Sequence, residues 1–407
     1  MTTLLQKLKN TPRIDYINYL ILLYALTLTF PSEIKRVIVI LMILLWLTDR
    51  TKYDFKLPKT NLFLFFNLFI TYSLLSYFWS DVSYKEALDY IRRYWYYLPI
   101  FVIFKYLKKE YFELSISFFL IGMFTSEILS YGNYFSLWQI GLGEPHNPTV
   151  FIHHTTYSVF LAIVSIFLLV KIYNEESNFK KFIHVIFFIT ITINLLVNSG
   201  RTGYISFFIT IIILTLYLFK TKLKYIFFSL GSILLIIFLA YNFSPNFKNR
   251  INLIQTDLKE VFYNGDYNSS IGSRIGFWII SKEIIYDYPL LGTGIANQIN
   301  VKNSIIDNHI EKENLKYVRE LEHFHNNYLE ILTQYGIIGF ILFIFILREL
   351  FKIPSKDFEI NLLKITTLSI YLLGCLTDVL FYLKDAMLFF SFLIGIILAQ
   401  YKIKSNN

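Results

Sequence analysis

The chain has a single cysteine, Cys375, in 407 residues. One thiol inside an apolar run leaves no intramolecular disulfide and no cysteine-based metal site. Charge is also scarce. Asp, Glu, Lys and Arg make up 16% of the residues, against roughly 25% in a soluble domain, which excludes a soluble globular enzyme. No basic block with interleaved aromatics occurs, so the net charge of +9 is not a nucleic-acid footprint. No small-residue cleavage site follows the first apolar stretch after Lys7, Lys9 and Arg13, which therefore reads as a span and not as a removed signal peptide. Internal repeats, proline-rich linkers and low-complexity tracts are missing too.

What is plentiful is apolar. Hydrophobic residues reach 55%, with 41 Phe and 31 Tyr, in runs near the roughly 20 residues that cross a hydrocarbon core. The expectation is an all-α integral membrane protein with about twelve transmembrane helices. The runs are Tyr16–Phe30, Ile34–Leu47, Leu62–Trp79, Tyr94–Leu107, Tyr111–Tyr131, Thr156–Tyr173, Phe182–Val197, Tyr204–Phe219, Tyr225–Phe243, Tyr328–Leu347, Leu362–Tyr382 and Ala386–Tyr401. The second and fourth are short, and read as tilted partners or re-entrant segments.

An even number of spans puts both termini on one side, and the basic residues choose the side. With a cytoplasmic N-terminus, 22 of the 38 Lys and Arg fall on inside segments and 7 on short outside loops. Those 7 are Lys35, Arg36, Lys85, Arg92, Arg93, Arg201 and Lys384, and the remaining 9 lie in one long loop. The positive-inside bias therefore predicts cytoplasmic termini. The long loop, Ser244 to His325 between spans nine and ten, falls outside, and amphipathic text from Ile271 to Tyr286 predicts a small folded cap. The domain reading is residues 1–243 as nine spans, 244–326 as the loop domain and 327–407 as three further spans.

Three outer-face segments carry residues suited to chemistry. In Asn198-Ser199-Gly200-Arg201-Thr202-Gly203, glycines flank an arginine and let the backbone approach a ligand; Arg201 reads as an anion contact or as a snorkelling flank residue. In Gly272-Ser273-Arg274-Ile275-Gly276-Phe277-Trp278, the Arg274 guanidinium suits phosphate because its planar fork donates two parallel hydrogen bonds and stays charged. A solvated surface charge is the alternative there. Gly292-Thr293-Gly294 is too short for a nucleotide fingerprint. In His323-Phe324-His325-Asn326-Asn327-Tyr328, a histidine at a membrane surface can serve as a general base. The His-x-His pair is also half of a metal site, but no clustered Asp, Glu or Cys completes a coordination set, so no metal is expected. Gly336 and Gly339 read as close helix packing. His153 and His154, with His146 and Glu144, form a weaker cluster, and Asn194 and Asn198 face a polar cavity or a neighbouring helix.

His325-Asn326, nine residues, then Gly336-Ile337-Ile338-Gly339 resembles the signature of the bacterial O-antigen ligases and their relatives, the O-antigen polymerases and protein O-oligosaccharyltransferases. Ser199-Gly200-Arg201-Thr202-Gly203 is similar to that family's Ser-Arg-Thr-Gly text, and Gly272-Ser273-Arg274, Trp278 and Pro289-Leu290-Leu291-Gly292 resemble its loop motif. The one departure is Ile205, where the pattern has Leu. The resemblance implies a ligase-type glycosyltransferase of the inner membrane. It would move O-antigen or oligosaccharide from undecaprenyl pyrophosphate to a hydroxyl of the lipid A core in lipopolysaccharide assembly, on the periplasmic face, without metal, cofactor or nucleic acid. His325 would be the base, Arg201 and Arg274 would hold the pyrophosphate, and Asn326, His323, Tyr328, Gly200 and Gly203 would support them. Direct activation of the acceptor would invert the anomeric centre, and an apolar groove between spans would take the polyprenyl tail. A polymerase joining lipid-linked repeats and a protein O-oligosaccharyltransferase are the alternatives within the family. A glycolipid transporter is the alternative outside it, disfavoured because such a protein carries ionisable groups near the midplane.

Overall fold

The structure, a computed structural model, describes residues 12–49, 60–220, 222–309, 312–355 and 357–405. Among these residues every regular element is helical. The helices are α1 (Arg13–Thr27), α2 (Ser32–Leu47), α3 (Leu62–Leu75), α4 (Tyr84–Ile91), α5 (Leu98–Tyr106), α6 (Lys109–Tyr134), α7 (His154–Asn174), α8 (Asn178–Val197), α9 (Arg201–Phe219) and α10 (Leu223–Phe243). Then follow α11 (Pro245–Lys259), α12 (Ser270–Asp287), α13 (Gln298–Asn308), α14 (Lys316–Glu320), α15 (Asn327–Lys352), α16 (Phe358–Gly374) and α17 (Lys384–Ser405). Helices α7 and α17 are the most enclosed of the long apolar ones and α10 the least.

Eight segments are long and apolar enough to cross a bilayer: α3 with the turn that extends it to Trp79, then α6, α7, α8, α9, α10, α15 and α17. The other four expected spans correspond to α1, α2, α5 and α16, of 15, 16, 9 and 17 residues. At 1.5 Å per residue these reach roughly 14–26 Å, short of the roughly 30 Å core. An apolar run can continue past the end of its helix. The run Leu362–Tyr382 shows this: its helix stops at Gly374, and the rest is a loop that carries Asp378.

The bundle has two chemically different ends. At one, Arg13 donates to Thr48 Oγ1 at 2.7 Å, Lys404 pairs with Asp357 at 2.8 Å and Lys171 pairs with Glu359 at 2.6 Å. The first and last described helices thus begin and end together. Of the 22 basic residues expected inside, Lys7, Lys9, Arg50, Lys52, Lys56, Lys59 and Lys356 lie outside the described residues; the others sit at this end. The loop of Ser244 to His325 lies at the opposite end. It folds as α11 to α14 around its own apolar cluster, with Phe277, Ile280, Ile284, Ile306, Leu315, Val318 and Phe324 buried. The amphipathic text of the sequence forms α12.

One break holds this cap to the bundle. Inside α15, Gly336 takes φ 60° and ψ −165°, a combination open essentially to glycine. The carbonyls that lose their helical partners there, of Thr333 and Gln334, accept the N–H groups of Thr293 and Gly294, both at 2.9 Å. Beyond the break, the Ile337 and Ile338 N–H groups donate to the carbonyls of Pro289 at 3.0 Å and Leu290 at 3.3 Å. The two family-like segments therefore interlock through backbone, which is what an apolar medium requires of a broken helix. Gly336 is a helix break and not only the packing residue its spacing suggests.

A second device fixes the strand of chain before α15. Buried Lys302 donates to the carbonyls of Val318 at 2.9 Å, Arg319 at 3.2 Å and Leu321. Burial pushes this ammonium down to about 8. Buried Glu330 accepts the Phe324 N–H at 2.9 Å and the Gln298 amide at 2.7 Å. Together they set the approach to His325, which sits at φ 46°, a left-handed conformation that a side chain adopts only when its surroundings impose it.

Gly336→Ala would place a Cβ 2.3 Å from the Leu290 carbonyl oxygen in addition to the φ strain. A loss on the order of 1–3 kcal/mol or more is expected in thermal unfolding of the detergent-solubilised protein, and an unchanged transition would contradict the interlock. Lys302→Met should speed amide exchange across residues 318–325 while the bundle helices keep their protection, since three carbonyls lose their donor.

Candidate active site

Asn326 caps α15. Its side-chain carbonyl accepts the N–H groups of Tyr328 at 2.9 Å and Leu329 at 3.1 Å, while its amide donates to the Leu376 carbonyl at 3.2 Å. Asparagine serves here because a short side-chain acceptor satisfies first-turn donors that have no helical partner. The cap anchors His325 one residue earlier. Tyr328 is also structural: its hydroxyl donates to the Leu372 carbonyl at 2.8 Å and its ring packs on Phe340 and Phe343.

His325 Nδ1 lies 3.7 Å from Asp378 Oδ1, with the histidine side chain 24% exposed and the aspartate 6%. The pair is longer than a hydrogen bond, but both groups are shielded enough for their charges to matter. Burial opposes ionisation of Asp378, yet His325 and His323 beside it, with the Val379 N–H, hold its carboxyl below the ordinary range. The His323 ring centre is 4.2 Å from that of His325, and burial, followed by the His325 charge, pushes His323 down to about 4. His323 is thus a neutral neighbour near pH 7.

Asp378 also changes the metal question. The absence of a carboxylate for the His-x-His pair does not hold: ligand atoms of His323, His325 and Asp378 all lie within 4.8 Å of one another. The sequence hides this because Asp378 is 53 residues further on, inside a run that reads as a span.

Arg274 crosses from the cap to the same loop. Its Nε and Nη2 donate to the Thr377 carbonyl at 3.4 and 3.3 Å, and Nη1 to Ser270 Oγ at 3.0 Å. It is therefore not a free surface charge. Burial lowers its affinity for the proton, while nearby Asp378 raises it and Arg201 lowers it. Arg201 opens α9, and its Nε and Nη2 are buried with no partner. Arg250 on α11 joins it: burial, then the charge of Arg201, lowers its hold on the proton. Sequence reading missed Arg250, one of nine basic residues in a polar loop with no motif around it. Arg201, whose buried donors are unsatisfied, thus lies within electrostatic reach of both Arg250 and Arg274, an excess of positive charge suited to an anion.

The glycines beside Arg201 serve packing. A Cβ on Gly200 would meet Ser158 Oγ at 2.3 Å, and one on Gly203 the Ser158 backbone at 2.3 Å. They let α9 lie against α7, and the Gly203 N–H donates to Ser158 Oγ at 3.0 Å. That contact brings in the weaker histidine cluster. His153, which caps α7, is pushed down by burial and feels both Asp378 and His325, and the His153 and His154 rings are 4.0 Å apart. The Ser199 hydroxyl donates to the His146 carbonyl at 2.8 Å, while the His146 and Glu144 side chains pair in solvent at 2.9 Å. Asn194 donates to Ser130 Oγ on a neighbouring helix at 3.1 Å.

The family model described as O-antigen ligase matches residues 186–344, from α8 through the cap into α15. That stretch includes Arg201, Arg250, Arg274 and His325. An uncharacterized protein of Haemophilus influenzae is 23% identical over 216 residues, covering 52% of this chain and 53% of that protein. The chain thus spans about half the length of that relative. The chain is thus a multi-pass membrane protein whose residues 186–344 are similar to the O-antigen ligase family.

Proposed function

We propose that the protein transfers O-antigen or a related oligosaccharide from undecaprenyl pyrophosphate to a hydroxyl of the lipid A core, on the periplasmic face of the inner membrane. The observation that carries this reading is the convergence of the His325–Asp378 pair with Arg274 and with the unpartnered buried donors of Arg201. The outward placement of that end is supported by the basic residues gathered at the other one, where both terminal helices also lie. Residues 244–326 then form a periplasmic cap on a bundle contributed by 1–243 and 327–407.

The chemistry follows from the geometry. With Nδ1 of His325 turned toward Asp378, Nε2 is the atom left to take a proton. It accepts the hydroxyl proton of the acceptor as the new bond forms from that oxygen to the anomeric carbon. The anomeric carbon–oxygen bond to the pyrophosphate breaks, and undecaprenyl pyrophosphate leaves with the electron pair. Its negative charge is met by Arg201, Arg250 and Arg274, already oriented in a poorly solvated site, where such stabilisation is strongest. Asp378 steadies the imidazolium formed. Attack opposite the departing phosphate inverts the anomeric centre. No metal is required.

Loss of the base should cost about 10²–10⁴ in rate, so His325→Ala should nearly stop transfer in reconstituted vesicles while still binding the lipid-linked donor. His323→Ala should be mild, and its pH–rate profile should keep the acid limb, because a group titrating near 4 is neutral across the working range. A dead His323→Ala beside an active His325→Ala would overturn the assignment. Arg201→Lys keeps the charge and loses the fork, so transfer should fall although the variant inserts normally; unchanged transfer would leave Arg201 a snorkelling residue.

A second reading rests on His323, His325 and Asp378 as metal ligands. Chelation with EDTA separates the two: activity retained after dialysis supports the base, and activity lost and restored by zinc supports the metal.

A further inference from the structure

Seven basic residues run against the charge bias of the chain, and four of them meet in one place. Arg36, Arg92, Arg93 and Lys384 line a cavity of about 440 Å³ with Trp95, Tyr96, Tyr382 and Leu383, and no acidic residue lines it. The four come from α2, from the turn of residues 92–97 and from the start of α17, so the fold itself brings like charges together. Partial neutralisation comes from outside the cavity: Glu33 takes Arg36 Nη2 at 2.5 Å and Asp89 takes Arg92 at 3.1 Å. Arg36 Nε remains buried without a partner. The Arg93 guanidinium lies 3.8 Å from the centre of the Tyr382 ring, and Lys384 is held by Ser32 Oγ at 2.6 Å. Trp95 and Tyr96 are the residue types that sit at headgroup level.

The cavity shares Arg93 and Tyr382 with a neighbouring one lined by Asn327 and Glu330, and Glu330 accepts the N–H of Phe324, between His323 and His325, at 2.9 Å; it does not belong to the Arg201 cluster. Arg201 faces Arg250 and Arg274, whereas Arg93 acts on His323.

We propose that this cavity is the subsite that holds the phosphate of the lipid-borne acceptor while its hydroxyl is presented to His325. The inference rests on the proposed transfer reaction and adds the place where the acceptor's phosphate is held. A phosphate would satisfy the open Arg36 donor and relieve the mutual repulsion of four cations, and a lipid anchor would keep that phosphate at the depth of Trp95 and Tyr96. A soluble acceptor, such as a protein serine or threonine, has no phosphate to place there.

The test compares the wild type with Arg92→Ala/Lys384→Ala at saturating donor, with lipid A core glycolipid as acceptor before and after phosphatase treatment. The double variant should raise the acceptor KM at least about tenfold with kcat and donor KM retained. Dephosphorylation should do the same to the wild type and add little in the variant. Lipid-linked repeat units run in parallel decide the source of the phosphate: the better substrate identifies it. A raised donor KM, an unmoved acceptor KM, or equal use of a serine-containing peptide overturns the inference. Binding of farnesyl phosphate to the His325→Ala protein, measured by native mass spectrometry with and without the two further substitutions, needs no turnover. Binding that falls with the substitutions supports the pocket even where no acceptor is glycosylated, the outcome in which the transfer reading alone fails. Binding that is unchanged by them overturns the pocket alone.

Discussion

A helix broken inside an apolar medium must find new partners for its backbone, and the rest of this structure depends on how α15 does so. At Gly336 the open carbonyls and N–H groups are taken up by the segment from Pro289 to Gly294. Each unsatisfied group would otherwise cost several kcal/mol in the hydrocarbon core. Because that segment follows directly from α12, the exchange docks the cap on the bundle. It thereby sets Arg274 of α12 against the 375–383 loop, and His325, just ahead of α15, against Asp378. The catalytic geometry proposed above is a consequence of backbone accounting.

Charge is then sorted by depth and by end. Most cations gather at the end where the terminal helices lie. At the other end two groups stand out: Arg201 with its two partners from the cap, and the cluster around Arg36 and Arg93. Lys35 is the exception that shows the rule, since it is buried and consumed by Asp385 at 2.6 Å. That pair leaves no charge over, whereas each of the two groups holds more cations than carboxylates. Excess of one sign in a cleft focuses potential on an incoming anion. The proposed leaving group and the proposed acceptor are both anions.

Much of this was legible in the sequence, and the failures share a cause. The helical class, the folded loop and the helix of its amphipathic segment follow from periodicity and apolar length. Arg201, Arg274 and His325 lie in recognisable spacing, and the structure links Arg274 and His325 through Asp378 and Arg201 to Arg274. What stayed hidden is whatever depends on where a helix ends or on distant pairing. Asp378 reads as a lone acid in an apolar run until α16 stops at Gly374, and with it the full set of potential metal ligands escapes notice. Arg250, Lys302 and Glu330 carry no motif, because a clamp is made by contacts and not by spacing. The helices α5 and α16 are shorter than their runs for the same reason: hydropathy measures a run and not the helix inside it. Gly200 and Gly203 show the converse, a motif whose glycines serve the contact between α9 and α7.

The most direct test of the proposed displacement is the anomeric configuration of the product. Donor of defined configuration, supplied to the purified protein in vesicles with a glycolipid acceptor, yields a linkage that NMR coupling constants assign. A single displacement by an acceptor activated at His325 gives inversion. Retention would require a covalent glycosyl intermediate or a second displacement, and would contradict His325 as the base that acts directly on the acceptor.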